Sequence, residues 1–146
     1  MLRYVYGDEL GRYDRLARSM FTDRADQFAR RLGWDVAVDA AGEERDAYDA
    51  LNPLYVIWET PEGAHAGSMR FLPTTGPVMV NDHFAHLLTG AVVSPLIWEC
   101  TRFCLARGAP AHVAAALMLG GGEIMRGFGI AHFVGVLMRG WNGFIG

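Results

Sequence analysis

Two short stretches of the sequence concentrate residue types that hold charge and move protons. One is Glu43, Glu44, Asp46 and Asp49, an acidic cluster that is either a solvated loop or a site for a cationic group. The other is Trp98-Glu99-Cys100-Thr101-Arg102-Phe103, where strand alternation puts Trp98, Cys100 and Arg102 on one face and Glu99, Thr101 and Phe103 on the other. Opposite charges in a mostly apolar strand must be paired or used, so this stretch reads as a structural ion pair or a ligand site. Arg70 lies in Gly67-Ser68-Met69-Arg70-Phe71-Leu72, where a strand-end arginine either faces solvent or joins such a site. Arg24, Phe28 and Trp34 bring together one guanidinium and two aromatic rings, the rings being core residues or ligand contacts.

The elements that position these groups follow from hydrophobic periodicity and turn residues. Residues 2–6 alternate as a strand, and Asp8 is placed to cap a helix with Leu10, Tyr13, Leu16 and Ala17 on one face. Asp23 is placed to cap a second helix carrying Ala25, Phe28 and Ala29, which ends at Leu32-Gly33, and residues 34–38 then extend. Residues 40–52 read as a polar loop closed by Asn52-Pro53. Residues 54–58 and 64–72 predict antiparallel strands joined at Pro61-Glu62-Gly63, followed by a break at Pro73-Thr74-Thr75-Gly76-Pro77. Asn81 or Asp82 starts a short helix holding Phe84, Leu87 and Leu88, and strands are predicted at 96–105 and 130–136. Between those strands, residues 111–128 are helical in pattern, but Gly120, Gly121 and Gly122 each cost about 1 kcal/mol against alanine and predict a bend or break. Strands and helices mixed in this order give a single α/β domain over residues 1–146.

Composition excludes several functions. All 13 basic residues are arginine, which removes Schiff-base lysines, a pyridoxal-phosphate anchor and the Walker-type phosphate lysine. Residues 1–73 hold 13 acids against 9 arginines, the opposite of a nucleic-acid-binding balance. No long apolar run or secretory leader pattern is present, so neither a membrane span nor secretion is expected, and a reducing cytoplasm is the default location. Cys100 and Cys104 lack the CxxC spacing, and His83 with His86 has no completing ligand set, so no metal site is expected. The triple glycine matches no phosphate-binding motif, and Ser68 and Ser94 sit in no nucleophile elbow.

In chain order, the sequence carries Arg24-x3-Phe28-x-Arg30-Arg31-Leu32-x-Trp34, then Glu44-x-Asp46-x-Tyr48-Asp49, then Tyr55. Gly67-x2-Arg70-x-Leu72-Pro73-Thr74-Thr75-Gly76-Pro77, Phe84 and Trp98-Glu99-x-Thr101-Arg102-Phe103 follow, with a weaker continuation through Gly129-Ile130 and His132-Phe133-Val134-Gly135-Val136. This series resembles the LuxI-type autoinducer synthases, the acyl-homoserine-lactone synthases. The resemblance implies a fold similar to the GNAT acetyltransferases, with a mixed, largely antiparallel central sheet flanked by helices. It also implies that S-adenosylmethionine, as a substrate rather than a cofactor, is joined to an acyl chain from acyl carrier protein or coenzyme A, releasing 5′-methylthioadenosine.

On that resemblance, Asp46 and Asp49 hold the cationic part of S-adenosylmethionine, Arg24 pairs its carboxylate, and Phe28 and Trp34 face its sulfonium or adenine. Glu99 is the candidate general base and Glu44 the second candidate, with Arg70 and Arg102 fixing Asp46, Asp49 and Glu99 by ion pairing. Backbone N–H groups near Phe103 are the expected oxyanion donors. Met79, Phe103, Leu117 and Met125 are candidates for an acyl pocket, with ordinary core packing as the other reading. Arg107, Arg126 and Arg139 are candidate contacts for an acidic carrier protein. Family members run longer after the last strand, so the part near residues 137–139 is expected to be shortened. Two other readings stand beside the synthase: a GNAT-like N-acyltransferase making N-acyl amino acids, and a shortened non-catalytic binding relative.

Overall fold

The computed structural model describes residues 1–135. Its sheet has five strands in chain order, β1 (Leu2–Tyr6), β2 (Leu54–Glu59), β3 (His65–Pro73), β4 (Ile97–Leu105) and β5 (His132–Val134). Neighbours are antiparallel except β4 and β5, which run parallel and pair only from Ile97 to Glu99. β2 and β3 are buried along most of their length, as strands covered on both faces must be.

Helix α1 (Asp14–Arg24) covers one face, α2 (Met79–His83) follows β3, and α3 (Ala111–Phe128) covers the opposite face. Alternation along β2 divides the core accordingly. Leu54 and Val56 pack with Val113, Leu117 and Ile124 of α3, whereas Tyr55 and Ile57 pack with Leu16, Met20 and Phe21 of α1. Tyr48, Leu72, Val78 and Val80 form a third cluster beside the start of α2. This is the helix-flanked, largely antiparallel sheet expected from the sequence. Among the described residues, no helix is long and apolar enough to cross a membrane.

Several local expectations are revised. Asp8 caps no α-helix, because Gly7–Arg12 forms a 3-10 turn ending at Tyr13. Nor does Asp23 start a second helix; α1 runs without interruption into a wider π-helical stretch, Ala25–Arg31, and Asp23 instead turns its carboxylate to His65. Gly33 then takes φ +66 after the helical run, as expected of a glycine there. The acidic loop is more ordered than its polarity suggested. Asp46 caps a 3-10 turn, Ala47–Leu51, in a reciprocal capping box with Asp49.

The triple glycine breaks nothing. α3 is continuous because Gly120 and Gly121 face the sheet, and a Cβ on Gly120 would stand 3.0 Å from Val56 Cγ1. Tertiary packing supplies what the glycines lack in helix propensity. Residues 130–136 contain a shorter strand than predicted, His132–Val134. Residue 136 and the segment expected to be shortened lie outside the described residues.

The consequential revision is in β4. Ser68 pairs with Cys104 and Arg70 with Thr101, so Arg102 and Phe103 together oppose Met69 alone. Arg102 takes φ +54, a left-handed conformation uncommon for a residue with a side chain. This bulge breaks the predicted alternation. Arg102 is carried round to the α1 side beside Glu44, while Phe103 packs with Trp98, Cys100 and Leu105 against the α3-side core.

Candidate active site

Arg24, Glu44, Asp46, Asp49, Arg70 and Arg102, which are scattered along the sequence, converge on the α1 side of the sheet. Arg24, in the last turn of α1, donates from Nε to Glu44 Oε1 at 3.0 Å and from its two Nη atoms to both Asp49 oxygens at 2.9 Å. Arg102 donates from Nε to the same Glu44 oxygen at 2.9 Å, and its Nη2 lies 3.0 Å from Asp46 Oδ2. Arg70 completes the circuit with bonds of 2.5 and 3.0 Å to Asp46, a 3.1 Å pair with Asp49 and a 3.0 Å bond to Thr101 Oγ1. Three guanidiniums thus meet three carboxylates, an arrangement that compensates burial only when each charge has partners.

The surroundings set how strongly these charges are held. Arg24 and Glu44 are 1% and 0% exposed, so neither side chain is left to water. Burial alone would depress the pKa of Arg24, but hydrogen bonding and charge from Asp49, with Glu44 behind it, drive it upward. Asp49 mirrors this: burial pushes it up, yet the Arg24 bonds and the charges of Arg24 and Arg70 hold it well below the usual carboxylate range. The Tyr55 hydroxyl donates to Asp49 Oδ1 at 2.6 Å, and burial beside that carboxylate raises the phenol pKa. The acidic cluster is therefore not a solvated loop, and only Asp46, 20% exposed, keeps surface toward solvent among its inner carboxylates. Its inner carboxylates are neutralised by arginines, while Glu43 meets Arg45 at the exposed rim.

Glu99 sits apart from this circuit. Its two oxygens accept the N–H groups of Met79 at 3.1 Å and Val80 at 2.6 Å, capping the start of α2, rather than the predicted ion pairs with Arg70 or Arg102. Burial raises its pKa, with those two N–H groups pulling the other way. Arg24 does not present an open guanidinium for a substrate carboxylate, since Glu44 and Asp49 occupy its donors. Phe28 is 1% exposed and stacks on Trp34 at 5.0 Å between centroids and 10° between planes, while the Arg102 guanidinium lies 5.4 Å from the Phe28 ring. Trp34, half-buried, retains surface for a ligand.

The four acyl-pocket candidates do not share one wall. Met79 lies on the α1 side with its sulfur 3.7 Å from Arg70, whereas Leu117 and Phe103 belong to the α3-side core. Met125 is half-buried near the end of α3, where its carbonyl accepts the Ile130 N–H. A cleft of about 630 Å³ does border the site, lined by Asp46, Asp49 and Tyr55 together with Leu10, Ala17 and Phe21. Of the proposed carrier contacts, Arg107 is exposed and paired with Asp26 at 2.9 Å, Arg126 is exposed, and Arg139 lies outside the described residues.

Sequence reading assigned no part to several groups that hold the site. Tyr48 donates to Asp82 at 2.7 Å, and buried His65 bridges Asp23 at 2.6 Å and Ser68 at 2.8 Å. Gln27 reaches β4 from the π-helical stretch. Its place on the buried stripe with Arg24 and Phe28 was the only signal available. Both cysteines are free, and burial pushes their thiols up to about 12.

Residues 8–126 match the family model for autoinducer synthases. An acyl-homoserine-lactone synthase of Rhizobium etli is 41% identical over 144 residues, covering 93% of this chain and 68% of its own length. A second, from Pseudomonas aeruginosa, is 44% identical over 98 residues, or 64% of this chain and 48% of the relative. The chain therefore spans about half to two-thirds of the length of these curated relatives. Among solved structures, the coenzyme-A-dependent acyl-homoserine lactone synthase BjaI, with S-adenosylmethionine and isopentyl-CoA, superposes with a TM-score of 0.86 at 26% identity, covering 97% of this chain and 68% of that one. A candidate N-acetyltransferase of Lactobacillus plantarum, 13% identical with a TM-score of 0.56, shares the fold alone.

Proposed function

The chain belongs to the autoinducer synthase family, and on that premise we propose that it makes an acyl-homoserine lactone from S-adenosylmethionine and an acyl thioester. The observation that carries this reading is the Arg24–Glu44–Arg102–Asp46–Arg70–Asp49 circuit beside the Phe28–Trp34 stack. It supplies a rigid, charge-compensated wall next to an aromatic face, suited to a ligand that carries an ammonium, a carboxylate, a sulfonium and an adenine. Asp46, 20% exposed, is the member of the circuit with surface left for the ammonium, and the open side of Trp34 faces the sulfonium or adenine.

Two substitution steps complete the reaction. The methionine nitrogen, after losing a proton, attacks the thioester carbonyl, and the thiol leaves with a proton as the amide forms. The methionine carboxylate then attacks its own γ-carbon, closing the lactone as the carbon–sulfur bond breaks and neutral 5′-methylthioadenosine departs. Glu99 is the proposed base, directly or through a water. Its partners are backbone N–H groups rather than guanidiniums, and burial raises its proton affinity toward that of a useful base. Glu44, pinned by Arg24 and Arg102, is assigned to holding the wall.

The thioester donor is acyl carrier protein or coenzyme A. Exposed Arg107 and Arg126 are where an acidic carrier would dock. S-adenosylmethionine is consumed as substrate, no separate cofactor is invoked, and the reaction is placed in the cytoplasm. That the named relatives are acyl-homoserine-lactone synthases favours this reading over an N-acyltransferase without ring closure. The test is mass spectrometry of the purified chain with S-adenosylmethionine and a panel of carrier-protein and coenzyme A thioesters. Lactone and methylthioadenosine should appear together. Acyl amide without methylthioadenosine would instead establish an acyltransferase, and ligand binding with no product a non-catalytic relative.

A further inference from the structure

Parallel pairing with β5 covers the outer edge of β4 only from Ile97 to Glu99. Above that point the Ala106 N–H still bonds back to Ala66 of β3, whereas the Phe103 carbonyl and the Leu105 N–H point outward. Both are met by one side chain. Gln27 Oε1 accepts the Leu105 N–H at 2.8 Å, and Gln27 Nε2 donates to the Phe103 carbonyl at 3.1 Å. One donor and one acceptor to residues two apart is the pattern a parallel strand residue would supply opposite Cys104. The Gln27 carboxamide therefore continues the edge that β5 leaves, and Arg31 adds a 2.8 Å bond to the Leu105 carbonyl.

The place of this contact gives it a consequence for the site. On the strand side it adjoins the bulge that turns Arg102 toward Glu44; on the helix side it adjoins Phe28, whose ring stacks on Trp34 and lies beside the Arg102 guanidinium. A backbone in the left-handed region persists only where its surroundings over-determine it. We infer that Gln27 is a positioning residue of the substrate site, its carboxamide fixing the bulged strand against the π-helical stretch so that Arg102 and the Phe28–Trp34 stack keep one separation. This rests on the reading that S-adenosylmethionine binds against that stack.

Two substitutions test it. Gln27→Met keeps the length of the side chain and removes both bonds. Gln27→Glu keeps the acceptor for Leu105 but, once ionised, loses the donor to Phe103. Steady-state lactone synthesis, calorimetric binding of S-adenosylmethionine and amide hydrogen exchange are measured on the unaltered chain and both variants. Gln27→Met should raise the KM for S-adenosylmethionine about ten-fold with a smaller change in kcat, since a binding wall that is no longer preorganised must be ordered at the expense of affinity. It should also speed exchange at the Leu105 amide while the Ala106 amide stays protected. Gln27→Glu should recover S-adenosylmethionine binding as pH falls through its introduced carboxyl, because protonation restores the donor. Unchanged KM and binding in both variants, or lower stability alone, overturns the inference while lactone synthesis by the unaltered chain still stands. No lactone and no binding by the unaltered chain overturns the reading of the site and the inference with it.

Discussion

At the scale of single residues, the site is governed by how few charges can be removed without stranding another. Arg24→Met leaves Glu44 and Asp49 short of their principal partner in a space with almost no solvent, and should destabilise the fold by about 3–5 kcal/mol in urea unfolding. Tyr55→Phe removes one hydrogen bond to the Asp49 carboxylate and should cost about 1.5–3 kcal/mol in the same measurement. Glu99→Gln is expected to behave differently, with turnover to lactone and methylthioadenosine falling by at least about 100-fold, within the range for a lost general base, and S-adenosylmethionine affinity changing little. Retained turnover would remove Glu99 from the chemistry. The charged types were legible in the sequence, since Arg24, Asp46, Asp49, Arg70 and Arg102 all reach one place. Their pairing was legible in part: Arg70 meets Asp46 and Asp49 and Arg102 meets Asp46 as expected, whereas the Glu44 bridge between Arg24 and Arg102 depends on the Arg102 bulge, which leaves no local signature.

At the scale of elements, glycine shows what a sequence pattern can and cannot say. Three glycines in a row argue for a bent or broken helix by propensity, yet α3 continues across them because two sit against the sheet. Gly122 has nothing within 4 Å of where a Cβ would stand, so Gly122→Ala should stabilise by about 1 kcal/mol in thermal or urea unfolding. Gly67 is the opposite case. A Cβ there would lie 2.8 Å from Val113 Cγ1 and 3.0 Å from both Leu105 and Leu117, so Gly67→Ala should push α3 off β3 and cost about 1–3 kcal/mol. Equal responses from the two substitutions would contradict the packing described. Strand positions were legible within a residue or two at β1, β2 and β3, where alternation or continuous burial is unambiguous. The continuity of α1 into its π-helical stretch was hidden, because Asp23 looks like a cap but serves His65.

At the scale of the whole molecule, proton linkage ties stability to pH through groups far apart in sequence. Burial holds the pKa of His65 below 6.5, with Asp23 partly offsetting it, so between those values the unfolded chain binds a proton that the fold refuses. Stability from this residue is complete above about pH 6.5 and is lost as pH falls toward the folded pKa. Glu99 works the other way, its ionisation opposing the fold as pH climbs from 4.5 toward its raised value. Urea unfolding from about pH 5 to about pH 7.5 should therefore show a rise that is smaller in His65→Gln; identical slopes would argue against a neutral buried imidazole. The charged circuit also bears on how the chain is made. Arg24 and Glu44 are 20 residues apart and leave the ribosome close together, but Arg102 must reach Glu44 across 58 residues. A nascent chain halted before β4 would hold three carboxylates and two guanidiniums, an excess of negative charge with no dry place to go. Among the members of the circuit Arg102 is the last in chain order, so the charges on the α1 side balance only when β4 lies beside β3, and the opposite face waits longer still, for α3.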